Sequence, residues 1–118
     1  MNQITMQKTT IYHNSQCSKS RQVLELLQNK GIQPEIIEYL KTPLNREQIN
    51  KLRAHFTLNE FVRNNEPIFN ELSLSLNNEE ELLQAMVEHP ILMQRPIVTF
   101  KNKAAIGRPP EKIMDLYE

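Results

Sequence analysis

The residues in this chain best suited to chemistry are one cysteine and a set of arginines. Cys17 is the only cysteine in 118 residues and lies in YHNSQCSKSR, residues 12–21. A thiol kept for packing sits among apolar neighbours, because an unperturbed thiol behaves as a small hydrophobe. Cys17 instead has His13, Asn14, Ser15, Gln16, Ser18, Lys19, Ser20 and Arg21 around it in the chain, a polar and cationic setting that favours a thiolate. A thiolate is the form that attacks an electrophile.

Spacing separates the thiol chemistries. A phosphatase-type anion loop needs an arginine six residues after its cysteine, but position 23 is Val, and the nearest arginine, Arg21, is four residues on. A dithiol oxidoreductase needs Cys-x-x-Cys, and Ser20 occupies the second position. The resulting Cys-x-x-Ser forms mixed disulfides but cannot resolve them within the chain. A single nucleophilic attack, followed by rescue with a thiol from another molecule, is the chemistry that remains.

Arg63, Arg95 and Arg108 are candidates for what that thiolate works beside. Arg95 and Arg108 each stand directly before proline, in RPI and RPP, where the preceding backbone is held extended. The planar guanidinium fork matches a tetrahedral oxyanion in a bidentate manner that Lys does not, and converging positive charge holds a thiol ionised. Taken singly, each arginine also fits a solvated surface residue.

Bulk composition narrows the setting. Lys plus Arg and Asp plus Glu are each 14, so overall charge points to neither nucleic acid nor a membrane surface, and any anion site is local. The start, MNQITMQKTT, has no apolar core of the signal-peptide kind, and no run of eighteen apolar residues occurs. The expectation is a cytoplasmic protein whose lone cysteine suits a reducing compartment. His13, His55 and His89 are scattered, so no metal is expected. The length predicts one domain, residues 1–118.

These residues need elements to position them. A β-branched and aromatic run from Thr9, ending at His13 at most, predicts a strand leading into the cysteine loop. From Ser18 an apolar stripe of Val23, Leu24, Leu26 and Leu27 predicts a helix closing at Gly31, with Cys17 at its entrance. There the unpaired N–H groups and the helix dipole favour an anion and lower a thiol pKa. Glu35 to Leu40 predicts a second strand, completing a parallel βαβ unit. Asn45 with Gln48 reads as a capping box for a helix through Ile49, Leu52 and Phe56; Leu58 to Val62 adds a helical turn, and Glu79 to Glu88 a further helix stopped by Pro90. Residues 64–67 and 73–78 read as connections. Ile97 to Phe100 and Ala104 to Ile106 predict a hairpin, and Pro109-Pro110 the start of a last helix. The order is that of a thioredoxin-like sheet, though order alone fits other α/β or α+β folds. The Arg95-Pro96 bond, directly before the third strand, is expected to be cis, as in that fold.

Six separated motifs then coincide: Tyr-His-Asn-x-x-Cys-x-x-Ser-Arg at 12–21, Tyr-Leu-x-Thr-Pro at 39–43, the Arg63 to Pro67 segment, His-Pro-Ile-Leu at 89–92, Arg-Pro-Ile-Val at 95–98 and Gly-Arg-Pro-Pro at 107–110. Together they resemble the glutaredoxin-coupled arsenate reductase (ArsC) family, in particular its shorter branch with CSKSR and GRPP. The resemblance implies an α/β, thioredoxin-like fold: a four-stranded mixed sheet with a helical insertion between strands 2 and 3. It implies that Cys17 is the nucleophile and that Arg63, Arg95 and Arg108 bind the oxyanion. It gives His13 a part in depressing the Cys17 pKa and Ser20 a hydrogen bond to the thiolate. By residue type alone, His13 equally fits a strand-ending ring bonded to backbone, and Ser20 a first-turn polar residue. Asn14 reads as loop-shaping, Lys19 and Lys41 as solvated or structural, and His89 as a helix-end cap.

The implied activity is reduction of arsenate to arsenite through a Cys17 thioarsenate adduct, with glutathione as co-substrate, glutaredoxin as partner and no bound cofactor. Two rivals share the fold: an Spx-like regulator that binds RNA polymerase, and a monothiol-glutaredoxin-like thiol exchange enzyme. Ser20 counts against the first, whose members usually sense oxidation through Cys-x-x-Cys. The second has no use for three converging arginines.

Overall fold

The computed structural model describes residues 8–117. The absence of a signal-peptide core was read mostly from residues 1–7, which lie outside them. The chain gathers into two compact units, one made of residues up to Tyr39 and from Arg95 onward, the other of Leu40–Gln94.

The first unit is built on β1 (Thr9–Tyr12), α1 (Ser18–Asn29), β2 (Glu35–Ile37), β3 (Ile97–Phe100) and β4 (Lys103–Ile106). The strands form one sheet in the order β2-β1-β3-β4. β1 pairs with β2 in parallel and with β3 antiparallel, and β3 pairs with β4 antiparallel with Ile97 opposite Ile106. This is the mixed thioredoxin-like sheet. β2 stops at Ile37, three residues short of the expected Leu40, and its residues are exposed or half-buried. It is an edge strand, and apolar content alone overstates the length of such a strand.

Ile11 and Val98 from the sheet, Val23 and Leu27 from α1, and Ile113 and Leu116 from the last helix form the core of this unit. Burying a side chain of this size stabilises a fold by about 1.5–3 kcal/mol. α1 ends as expected, with Gly31 at φ +79 just past its last turn, a conformation glycine adopts without penalty. The last helix, Pro110–Tyr117, is a 3-10 helix, and Tyr117 Oη shares a 2.6 Å hydrogen bond with Thr9 Oγ1 of β1.

The second unit is helical, as expected for an insertion between strands 2 and 3: α2 (Arg46–Arg53), α3 (Leu58–Phe61), α4 (Pro67–Glu71) and α5 (Glu79–Glu88), then a 3-10 turn Pro90–Leu92. Capping chemistry sets the starts. Asn45 and Gln48 form both halves of a capping box on α2, and Thr57 with Glu60 does the same for α3. α2 packs against α5, where Arg46 reaches Glu80 at 2.9 Å and Arg53 reaches Glu79 at 3.2 Å. His89 caps the end of α5. α4 was not expected; its signal is Pro67 at the first helical position, which also reads as a loop residue.

Arg95-Pro96 is cis, as expected, and Arg108-Pro109 is cis as well. Between them in space lies Gly107, whose N–H donates to the Pro96 carbonyl at 2.9 Å. A Cβ built on Gly107 would stand 2.5 Å from Val23 Cγ2 and 3.1 Å from Pro96 Cγ, so only glycine allows this approach. Gly107→Ala therefore overpacks the β4 exit against α1. The expected cost is about 1–3 kcal/mol, read as a lower urea midpoint in equilibrium unfolding.

Candidate active site

β1 ends at Tyr12, and the chain turns at residues 13–17 before entering α1. Side chains hold this turn in place. Asn14 Oδ1 accepts the Gln16 N–H at 2.9 Å, the Asn14 carbonyl accepts the Cys17 N–H at 2.9 Å, and the Asn14 N–H donates to Ser20 Oγ at 3.0 Å. Asn14 is thus the loop-shaping residue its type suggests. Arg21 reaches back from α1 and donates from Nη1 to the Ser15 carbonyl at 2.9 Å. Residue type and spacing mark Arg21 as a cation near Cys17 but do not announce this loop clamp.

Cys17 is the N-cap residue of α1, with extended backbone (φ −99, ψ 123). Burial pushes its thiol pKa up, but the Ser20 N–H, the Arg95 guanidinium and the Lys19 N–H all lower it, and the net shift is downward. The Cys17 side chain makes no capping hydrogen bond; the sulfur is held at the α1 N-terminus, near N–H groups that have no partner within the helix. Ionised sulfur is the better acceptor for them.

Arg95 comes from just before β3, and Arg108 from just after β4. Arg108 donates from Nε to the Arg95 carbonyl at 2.8 Å and directs Nη2 at Cys17 Sγ, 3.8 Å away. Both guanidiniums therefore converge on the sulfur, Arg95 through a side-chain hydrogen bond and its charge.

His13 and Ser20 form a pair beneath the loop. Ser20 is fully buried and His13 is 5% exposed, and His13 Nδ1 lies 2.7 Å from Ser20 Oγ. Ser20 Oγ also accepts the Asn14 N–H, so this hydroxyl ties the loop backbone to the imidazole. Burial pushes the His13 pKa down, Glu38 raises it and Arg21 lowers it, with a net lowering that keeps the ring neutral. The hydroxyl of Ser20 thus faces His13 and Asn14, while its backbone N–H lowers the pKa of the nearby thiol.

Arg63 lies in the second unit, on a short antiparallel bridge between Val62 and Met93. It donates from Nε to Glu66 Oε2 at 3.0 Å and from Nη1 to Gln94 Oε1 at 2.9 Å. Among the described residues no group of His, Cys, Asp and Glu could hold a metal ion, and no helix is long and apolar enough to cross a membrane.

Residues 12–116 match the model of the ArsC family. The chain belongs to the ArsC family. The ArsC-family chain is 45% identical over 111 residues to the uncharacterized protein YfgD of Escherichia coli (strain K12), covering 90% of this chain and 93% of that one. It is 40% identical over 111 residues to an arsenate reductase of Rhizobium meliloti (strain 1021), covering 91% and 79%. The solved structure of an arsenate reductase from Vibrio cholerae superposes with a TM-score of 0.86 at 41% identity, covering 93% of this chain and 98% of that one.

The depressed thiol pKa has two measurable consequences. The rate of Cys17 alkylation by iodoacetamide is expected to rise with pH through a midpoint below that of an ordinary thiol, and Arg95→Ala is expected to move the midpoint upward. Because the folded-state value lies below the unfolded one, ionised Cys17 stabilises the fold above the unfolded thiol's pKa. That contribution is lost as pH falls through the folded value. The stability of wild type relative to Cys17→Ser is thus expected to increase with pH in urea unfolding.

Proposed function

We propose that this protein is an arsenate reductase in which Cys17 is the nucleophile and Arg95, Arg108 and Arg63 bind the oxyanion. The observation that carries the reading is the thiol held towards ionisation at a helix N-terminus with Arg95 and Arg108 converging on its sulfur. A thiolate among guanidiniums attracts a tetrahedral oxyanion and is placed to attack its centre.

In the first step Cys17 Sγ bonds to arsenic, and one arsenic–oxygen bond breaks. The departing oxygen leaves as water once protonated, and the arginines offset the charge that builds on the remaining oxygens. Arsenic is still As(V) in this thioarsenate. Glutathione thiolate then displaces a second oxygen. A glutaredoxin thiolate attacks the glutathione sulfur, a glutaredoxin–glutathione disulfide forms, and the electron pair of the broken sulfur–arsenic bond remains on arsenic as As(III). Water then cleaves the Cys17–arsenic bond, releasing arsenite and returning the thiol.

The lone cysteine supports the external reductant, because with Ser20 three residues on, no internal disulfide can form. It also suits a reducing compartment, the cytoplasm. His13 acts through Ser20 and the loop, not as a cation beside the sulfur, and needs no proton transfer to do so.

The deciding assay measures arsenite release with glutathione and glutaredoxin. Cys17→Ser is expected to abolish it, and Arg95→Ala to lower kcat/KM for arsenate by about 10²-fold. Thiol exchange on glutathionylated substrates is the control, since a plain exchanger keeps that activity without Arg95. Wild-type release no faster than that of Cys17→Ser overturns the reading.

A further inference from the structure

In the second unit the Arg63 guanidinium is fixed before any anion arrives. The Arg63 N–H donates to the Leu92 carbonyl at 2.7 Å and the Gln94 N–H to the Phe61 carbonyl at 2.8 Å, flanking the Val62–Met93 bridge. Arg63 and Gln94 therefore project on the same face of this small antiparallel pair as diagonal neighbours. Glu66 approaches from the other side of the guanidinium. It is the N-cap residue of α4, and its own N–H returns to the Arg63 carbonyl at 3.2 Å. The Arg63 and Glu66 side chains are only 14% and 19% exposed, so this is not one of the solvated pairs that contribute little.

Glu66 holds Nε and Gln94 holds Nη1. Of the five N–H donors of a guanidinium, those on Nη2 make no hydrogen bond among the described residues. The two acceptors also differ in kind. One is a carboxylate, which offsets the arginine's charge, and the other is a neutral amide, which orients without adding a second negative charge. A partly buried ion pair carries a desolvation cost, and its best-attested use is to specify geometry.

We propose that Glu66 and Gln94 are positioning residues that hold the Arg63 guanidinium in the orientation in which Nη2 donates to the oxyanion substrate. This rests on the reading that Arg63 binds that oxyanion. Because Glu66 offsets the positive charge, Arg63 recognises the anion by directed hydrogen bonds more than by net charge. Orientation at this arginine then matters more than the carboxylate's charge, which makes the isosteric amide and the truncation behave differently.

The test uses the full chain in the arsenite-release assay, with kcat and KM for arsenate measured for Arg63→Ala, Glu66→Ala, Glu66→Gln and Gln94→Ala. Cys17 alkylation against pH and the urea midpoint are followed in parallel. Arg63→Ala is expected to raise KM by about tenfold or more, as for a lost charge-assisted hydrogen bond. Glu66→Ala is expected to raise it about fivefold and Gln94→Ala about threefold, with kcat little changed, the pattern of lost ground-state binding. Glu66→Gln keeps an acceptor at Nε and removes the negative charge, so its KM is expected at or below the wild-type value. The alkylation profile is expected to be the same throughout.

Arg63→Ala with a wild-type KM removes Arg63 from the oxyanion site and takes this inference with it. A raised KM in Arg63→Ala beside an unchanged one in Glu66→Ala overturns the positioning role alone. Equal increases in Glu66→Gln and Glu66→Ala, with matching losses in urea midpoint, assign the pair to structure and also overturn it.

Discussion

The chemistry of this chain depends on a sulfur atom standing where a helix expects a capping oxygen. The first N–H groups of α1 have no carbonyl partners within the helix, and those of Lys19 and Ser20 lower the pKa of the Cys17 thiol beside them without a capping hydrogen bond. That placement is assembled from both sides. β1 delivers the chain to His13, and Asn14 closes the turn with three hydrogen bonds. Ser20, one turn into α1 and fully buried, bonds the Asn14 N–H and the His13 ring from below. A shift of one residue in the start of α1 would withdraw the Ser20 hydroxyl from the loop and the Ser20 N–H from the sulfur together. Loop shape and thiol ionisation are thus one constraint.

The arginines reach the sulfur by sheet geometry. β3 and β4 are antiparallel with Ile97 opposite Ile106, so the residues just before β3 and just after β4 lie at the same end of the sheet. Arg95 and Arg108 occupy those places, and the Arg108 Nε bond to the Arg95 carbonyl fixes one against the other. Gly107 lets the β4 exit pass close to Val23 of α1 and to Pro96. The helix that begins at Cys17 and the hairpin that carries the guanidiniums therefore pass close together, and Arg108 Nη2 stands 3.8 Å from Cys17 Sγ.

Much of this was legible in the chain. Punctuation residues did best: the start of α1 at Ser18, the Asn45–Gln48 box, the bounds Glu79–Glu88 and the hairpin all follow from caps, prolines and period, which are local effects. β2 was overextended, because Tyr39 and Leu40 look like strand residues whether or not a partner strand lies alongside. α4 escaped notice because Glu66-Pro67 reads equally as a loop. In the candidate site, residue type and position single out Cys17 and the two Arg-Pro arginines, which the structure brings together. What Ser20 and Arg21 bond to was not legible, since a hydroxyl or guanidinium has several partners within reach and only the folded loop selects one. The Glu66 and Gln94 contacts of Arg63 likewise depend on a bridge joining residues about thirty positions apart, and no local pattern announces it.

The neutral state of His13 bears on how reactive the thiol is. Lowering a thiol pKa raises the fraction ionised but weakens each thiolate as a nucleophile, so the best attacking thiol has a pKa near the ambient pH. Here the opposing influences are visible: burial raises the Cys17 pKa, while the Ser20 N–H, Arg95 and the Lys19 N–H lower it. A charged imidazolium beneath the loop would add one more depressing influence at short range. Burial disfavours the charged ring and leaves it the task of holding Ser20 in place. The site thus separates two demands, ionising the sulfur through hydrogen bonds and guanidiniums, and shaping its loop through a neutral, buried pair.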